Sequence, residues 1–180
     1  MLEIEVKAIL RSKEAILVVL EQLGVYFPAP STQVDHVFVQ NADSIAQFYQ
    51  NTLFLRIREQ DGKEPIFTLK KKQAELASIE HETEIESVDE LTQILTLMGY
   101  PQTLTIQKTR TKQRHGDYTI CIDEVEVLGT FIEVEQLVES GDVSVIQDEL
   151  FAFLVSLGIQ AEDRVLDAYD TLLLKKRFQS

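Results

Sequence analysis

Charged residues in this 180-residue sequence recur as same-sign pairs two positions apart. The acidic pairs are Glu3/Glu5 and Glu133/Glu135, and Glu82, Glu84 and Glu86 form a third acidic row. The basic pairs are Arg56/Arg58, Lys70/Lys72 and Lys108/Arg110, the last continued by Lys112 and Arg114. In an extended strand alternate side chains share a face and stand about 6.6 Å apart. Each pair therefore forms a charged stripe, opposite apolar stripes such as Leu2/Ile4/Val6, Leu55/Ile57 and Ile132/Val134. Lys7 continues the Glu3/Glu5 face, and Asp123 shares a face with Cys121 and Thr119. An ordinary solvated sheet face explains alternation in any one strand. Doubled like charges in strand after strand are different, because adjacent like charges cost stability. Rows of Arg and Lys grip phosphate oxygens, Arg bidentately and Lys as a point charge. Carboxylate rows beside a phosphate make sense when a hard divalent cation lies between, and Mg²⁺ and Mn²⁺ take carboxylate, phosphate and water oxygens. The pattern therefore specifies a metal–triphosphate type of ligand.

Positioning these stripes requires many strands. Residues 2–9, 34–40, 53–59, 66–72, 81–86, 105–114, 118–123 and 130–137 are β-rich or alternating, and Gln60-Asp61-Gly62-Lys63 and His115-Gly116-Asp117 are hairpin turns. Helical periodicity marks 12–23, closed by Gly24, and 87–98, opened by a Ser87-x-x-Glu90 capping box and closed by Gly99. Residues 143–157 and 166–175 are two further helices. Strands joined partly by tight turns predict an antiparallel sheet and an α+β fold. If the eight strands close into a β-barrel, basic and acidic stripes interleave inside, around space for one small ligand. The apolar stripes then face outwards, under the helices.

Composition bounds the rest. Hydrophobic residues are 44% and charged residues 26%, as in an ordinary globular protein, and the length fits one domain, 1–180. Thirty acidic against seventeen basic residues give a net charge of −13, which argues against general nucleic-acid or anionic-membrane binding. No apolar run reaches the roughly 18–20 residues of a membrane helix, and the N-terminus lacks a signal-peptide pattern. Cys121 is the single cysteine, which excludes an intrachain disulfide and fits the cytoplasm. P-loop, GxGxxG, HExxH and zinc-type Cys/His spacings are absent.

Glu3-Ile-Glu-Val-Lys7 resembles the ExExK signature of the CYTH superfamily, the triphosphate tunnel metalloenzymes. Later segments match in order: Gln33-Val-Asp-His-Val-Phe38, Leu55-Arg-Ile-Arg58, Phe67-Thr-Leu-Lys70, Glu82-Thr-Glu84, Lys108-Thr-Arg110, the block from Ile122 to Glu135 around Leu128-Gly-Thr-Phe131, and Ala168-Tyr-Asp-Thr-Leu-Leu173. The long block is most similar to the CyaB-like group, named for class IV adenylate cyclases. The resemblance implies a closed eight-stranded antiparallel tunnel with helices outside, Mg²⁺ or Mn²⁺, and a triphosphate substrate: ATP, thiamine triphosphate or tripolyphosphate. It implies an adenylate cyclase first, making cyclic AMP and pyrophosphate, then a triphosphatase, and last a non-catalytic nucleotide or polyphosphate binder.

Carried over by position, the resemblance makes Glu3, Glu5, Glu133 and Glu135 metal ligands. It makes Lys7, Arg56, Arg58, Lys70, Lys108, Arg110 and Arg114 phosphate-binding residues, with Lys7, Arg58, Lys108, Arg110 and Asp123 also catalytic. Lys72, Glu82, Glu84 and Tyr169 are further candidates. Crowding by cations would lower the pKa of Lys7 and make it a base, while Glu3 and Glu5 pull the other way, so the sequence leaves the sign open. Two positions depart from the family pattern: Lys71-Lys72 stands where Gly-Pro is common, and Ala168 replaces a serine. Apolar outer faces leave a homodimer open.

Overall fold

The computed structural model describes residues 1–179. Among them the strands are β1 (Leu2–Ile9), β2 (Ser31–Phe38), β3 (Leu53–Gln60), β4 (Ile66–Ala74), β5 (Ala77–Glu84), β6 (Gln102–His115), β7 (Tyr118–Val125), β8 (Gly129–Val138) and the two-residue β9 (Arg164–Val165). The helices are α1 (Lys13–Gln22), α2 (Ile45–Gln50), α3 (Val88–Leu97), α4 (Val143–Ser156) and α5 (Tyr169–Gln179), with a 3₁₀ turn at Ala161–Asp163. None of these helices is long and apolar enough to cross a membrane.

The first eight strands form the closed antiparallel barrel expected from the sequence, in the order β5-β4-β3-β2-β6-β7-β8-β1, with β1 returning to β5. The closing seam is short. Only Leu2, Glu3 and Ile4 pair with Ile79, Ser78 and Ala77, whereas Lys7 and Ala8 pair with β9 on the same edge of β1. The seam therefore parts below Glu5, and the start of α5 lies there, its Ala168, Asp170 and Thr171 bordering a small side pocket with Glu5.

The apolar stripes face outwards beneath helices. Ile4, Val6, Ile120, Ile122, Ile132 and Val134 form one cluster with Ile16 and Leu20 of α1 and Leu150 and Leu154 of α4. Leu55 and Ile57 of β3 pack with Leu95 of α3. Side-chain caps start these helices: Ser12 accepts from Ala15 N at 3.4 Å, Ser87 from Glu90 N at 3.1 Å, and Asp142 from Ser144 N at 2.9 Å. A third apolar group, Val37, Ile106, Val125, Phe131 and Tyr169, fills the lower end of the barrel under α5.

Three expectations need correction. The fifth strand begins at Ala77 rather than 81, because its hairpin turns through Leu76 at φ 50°, a left-handed residue with no glycine to announce it. α2, only six residues long, fell below the length at which helical periodicity is legible, despite a Ser44 cap on Gln47 N. The last helix starts at Tyr169 rather than 166, because Arg164 and Val165 are spent on pairing with β1.

Leu154 is fully buried between α4 and the barrel. Leu154→Ala is expected to destabilise the fold by about 2–5 kcal/mol, through lost burial and a cavity that rigid strands cannot close. Urea unfolding midpoints of the two proteins measure it, and a loss below about 1 kcal/mol would contradict this assignment of the core.

Candidate functional site

The barrel interior holds a cavity of about 410 Å³ lined by charged side chains from every barrel strand but β7, whose Asp123 lies buried behind the lining. Because side chains alternate across each strand, turning the apolar stripes outwards forces the charged stripes in. Glu3, Glu5 and Lys7 enter from β1, Arg56 and Arg58 from β3, and Lys70 from β4. Lys108 and Arg110 enter from β6, and Glu133 and Glu135 from β8.

Arg110 ties the inner wall together. Its Nε and Nη2 donate to the two Asp123 oxygens at 2.7 and 2.6 Å, Nη2 also donates to Glu133, and Nη1 reaches Glu135 at 3.3 Å. Asp123 is fully buried and also receives Lys108 Nζ at 3.3 Å. Lys7 Nζ lies 3.1 Å from Glu133 and 3.6 Å from Glu5. On the opposite wall Asp35 receives two bonds from Arg58, at 2.6 and 2.7 Å, and Lys70 pairs with Glu80 at 2.8 Å. Buried pairs of this kind add little net stability. Their effect is to hold the cationic heads in fixed positions before any ligand arrives.

Desolvation and neighbouring charge sort the titrations. Burial raises Glu3, and the nearby Glu80 and Glu135 carboxylates push further, to about 8. Burial likewise raises Glu5, more than the opposing charge of Lys7 lowers it. Glu133 goes the other way: burial is outweighed by Lys7, Arg110 and Lys108, which hold it well below the usual carboxylate range. The sign left open for Lys7 is decided by its acids. Burial does depress it, but Glu133 and Glu5 together leave it raised. The lowered lysine is Lys108, brought to about 8 by burial and then by the Arg110 charge.

Some sequence candidates do not join the cavity. Arg114 keeps the inward parity of its row, but β6 runs past the rim, where Arg114 is exposed and donates to Gly116 O at 3.0 Å in its own hairpin. Lys112, which precedes it in that row, does reach the mouth. Lys72 lies at the small side pocket and pairs with Glu75 at 2.8 Å. Glu84 is exposed outside the lining, whereas Glu82 reaches the mouth and bonds Arg56 and Thr68. Tyr169 lies in the wall with its ring centroid 3.9 Å from Lys7 Nζ. Asp35 and Glu80 line the cavity and escaped the sequence reading. Glu80 has the parity of Glu82 but precedes the expected strand start, and Asp35 is a single acid without a doubled neighbour.

A model of the CYTH domain matches residues 1–169. The chain belongs to the CYTH domain family. A candidate adenylate cyclase of Methanocaldococcus jannaschii is 27% identical over 175 residues, which cover 94% of this chain and 97% of that protein. The solved PH1819 protein of Pyrococcus horikoshii is 30% identical with a TM-score of 0.76, covering 97% of this chain and 99% of its own. A Hippeastrum adenylyl cyclase candidate with a dominant triphosphatase activity shares the fold at 20% identity and a TM-score of 0.58, over 98% of this chain and 95% of its own. The CYTH tunnel fold of this chain thus has both cyclase-named and triphosphatase neighbours.

The family implies a divalent metal, and the donor set fits one. Glu3 makes no hydrogen bond or ion pair among the described residues, and it and Glu5 carry raised pKa values, the mark of surplus buried negative charge. Carboxylate oxygens of this kind suit Mg²⁺ or Mn²⁺. Cys121 Sγ lies with oxygens of Glu133 and Glu135 within 4.8 Å, but both glutamates there are already occupied by Arg110.

The raised Glu3 predicts a pH effect on stability. The folded protein keeps this proton up to about pH 8, whereas the unfolded chain releases it near the ordinary 4.5. Folding thus binds a proton between those values, and the contribution to stability falls as pH rises through the window. Urea midpoints without added metal should show wild type losing ground to Glu3→Gln between pH 5 and pH 8. A difference independent of pH would contradict the assignment.

Proposed function

We propose that this chain is a metal-dependent enzyme that binds a triphosphate in the tunnel and transfers a phosphoryl or nucleotidyl group from it. One observation carries the reading: the cavity has unmet demands of both signs. Glu3 has no side-chain ion pair among the described residues and Glu5 shares Lys7 with Glu133, while Arg56 Nε, a buried donor on the lining, has no acceptor and Tyr169 OH forms no hydrogen bond of normal geometry. A divalent cation chelated by a polyphosphate supplies what each set is missing.

In this reading Glu3 and Glu5 hold the metal with Glu135, of which Oε1 alone meets Arg110, while Glu133, bonded through both oxygens, fixes Lys7 and Arg110 beside it. When bound, the metal would neutralise phosphate charge and draw electron density from the phosphorus under attack. Arg56, Arg58, Lys70, Lys108 and Arg110 hold the phosphate chain in line and stabilise negative charge that grows on the leaving group. Asp123 acts through its two partners by fixing Arg110 and Lys108. Lys108 rather than Lys7 is the proton acceptor, because it sheds its proton nearest neutrality while Glu133 and Glu5 hold the proton on Lys7.

The first reading of the reaction is adenylate cyclisation, supported by the name of the M. jannaschii relative. The ribose 3′-hydroxyl attacks the α-phosphorus, and pyrophosphate leaves with cyclic AMP as the other product. A second reading, hydrolysis of the terminal phosphate by water, is favoured by the lining itself. Its aromatic residues, Phe54 and Tyr169, both lie toward the closed lower end, and the mouth beside Met1 and Leu137 has no ring to stack a purine.

Product analysis distinguishes these outcomes. Purified protein with Mg²⁺ or Mn²⁺ is supplied in parallel with ATP, tripolyphosphate and thiamine triphosphate. Cyclic AMP plus pyrophosphate establishes the cyclase, and orthophosphate release establishes the hydrolase. Glu133→Gln should abolish measurable turnover of either kind. Tight binding without any product would remove the enzyme reading. Arg56→Ala should lower kcat/KM by about 100-fold, the scale of one lost charge-stabilising donor, with little change in thermal stability because Arg56 is only partly buried. An unchanged kcat/KM would place Arg56 outside the phosphate site.

A further inference from the structure

Tyr169 opens α5 at the closed end of the cavity, where Phe131 packs edge-on against it at 5.2 Å between ring centroids. Two ammonium groups converge on its ring. Lys7 Nζ lies 3.9 Å from the centroid and Lys108 Nζ 5.1 Å. These lysines come from β1 and β6, which are not neighbours in the sheet: β8 and β7 lie between them. Two like charges brought together in a buried space repel one another, and an aromatic face offers both a partner without neutralising either. The hydroxyl of the same residue is buried and forms no hydrogen bond of normal geometry, with the Glu133 carboxylate the acid that bears on it. The two Glu133 oxygens are already taken, one by Lys7 and the other by Arg110. A phenol carries its proton at neutral pH, so it is available as a donor.

We propose that Tyr169 forms the floor of the phosphate site: its ring gathers Lys7 and Lys108, and its hydroxyl donates to a non-bridging oxygen of the phosphate that the two lysines hold. The inference rests on the triphosphate reading above and adds a residue and a direction to it. The end of the phosphate chain lies at the α5 end of the barrel, and the organic part of a substrate faces the mouth. α5 becomes part of the site, although every other phosphate-binding residue comes from the strands. Asp167, just before α5, holds this floor in place from outside. Its backbone oxygen accepts from Lys7 at 3.5 Å, and its carboxylate accepts from Tyr49 of α2 at 3.0 Å and from Lys175 of α5 at 2.5 Å.

The test uses tripolyphosphate as probe, with binding followed by calorimetry with and without Mg²⁺, alongside turnover. Tyr169→Phe keeps the ring and removes the hydroxyl. It should weaken tripolyphosphate binding by about 10-fold or more, the scale of a hydrogen bond to a charged group, at unchanged melting temperature. Tyr169→Leu removes the ring as well and should lose affinity further, with kcat falling more than KM rises because the lysines lose their placement. Tyr169→Phe binding as tightly as wild type overturns the hydroxyl's role. Tyr169→Leu matching Tyr169→Phe in binding and kcat overturns the role of the ring. If Tyr169→Leu fails to fold, Tyr169→Phe alone still decides the inference. Wild type failing to bind tripolyphosphate under either condition overturns the triphosphate reading and this inference with it. Wild-type binding with both variants unchanged overturns the inference alone.

Discussion

The guanidinium of Arg110 is the point on which the inner wall depends. It contacts Asp123, Glu133 and Glu135, acids from two adjacent strands, and Asp123 in turn holds Lys108 while Glu133 holds Lys7. A single planar cation with several donors can satisfy three carboxylates at once, and a lysine in its place could not reproduce that geometry. Without it Asp123, fully buried, would keep only the longer contact from Lys108, and Glu133 only that from Lys7. The register of those strands, Cys121 opposite Glu133 and Thr119 opposite Glu135, is compatible with a charged interior only because Arg110 reaches across it.

The same arrangement explains how an acidic protein forms an anion site. The surplus of acids over bases is a property of the whole chain, while inside the barrel each basic row faces carboxylates that fix it in place. Pairing is uneven by design of the topology. The β8 side is saturated, with Glu133 held far below its ordinary range, and the β1–β5 side is left with Glu3 and Glu5 above theirs. That imbalance places the demand for a cation along β1, beside the short seam where the barrel closes.

Much of this was legible in the sequence because strand parity is a local rule. Glu3, Glu5, Lys7, Arg56, Arg58, Lys70, Lys108, Arg110, Glu133 and Glu135 all lie on the faces that alternation assigns them, and the apolar stripes between them lie under helices. What was illegible depends on where strands begin and end, or on residues far apart in sequence. Glu80 was lost because the turn at Leu76 uses a left-handed residue with a side chain, against the usual preference. Arg114 was included because parity says nothing of how far β6 overshoots the rim. The protonation of Lys7 was not legible because it is decided across the barrel. Lys7 meets Glu133 of β8, whereas Lys108 meets Arg110 of its own strand.

The difference between Lys7 and Lys108 bears on how, in the proposed reading, one lining can serve different reactions. A lysine that stays charged is a fixed electrostatic anchor, and one near neutrality can exchange a proton. With both set on the ring of Tyr169, the closed end of the tunnel holds an anchor and an acceptor side by side, on strands that share no backbone hydrogen bond. Glu133 and Asp123 place the two lysines on the inner wall, and the ring of Tyr169 adds a contact to both from α5. Small changes in how this helix docks across the split seam would move the acceptor relative to the phosphate chain while leaving the Arg56, Arg58 and Arg110 grip intact. Whether a sugar hydroxyl or a water meets the phosphorus is then a question of placement along a common grip. The docking contacts of this helix run through Asp167, which meets Lys7 of the β1 row and, outside the charged rows, Tyr49 and Lys175.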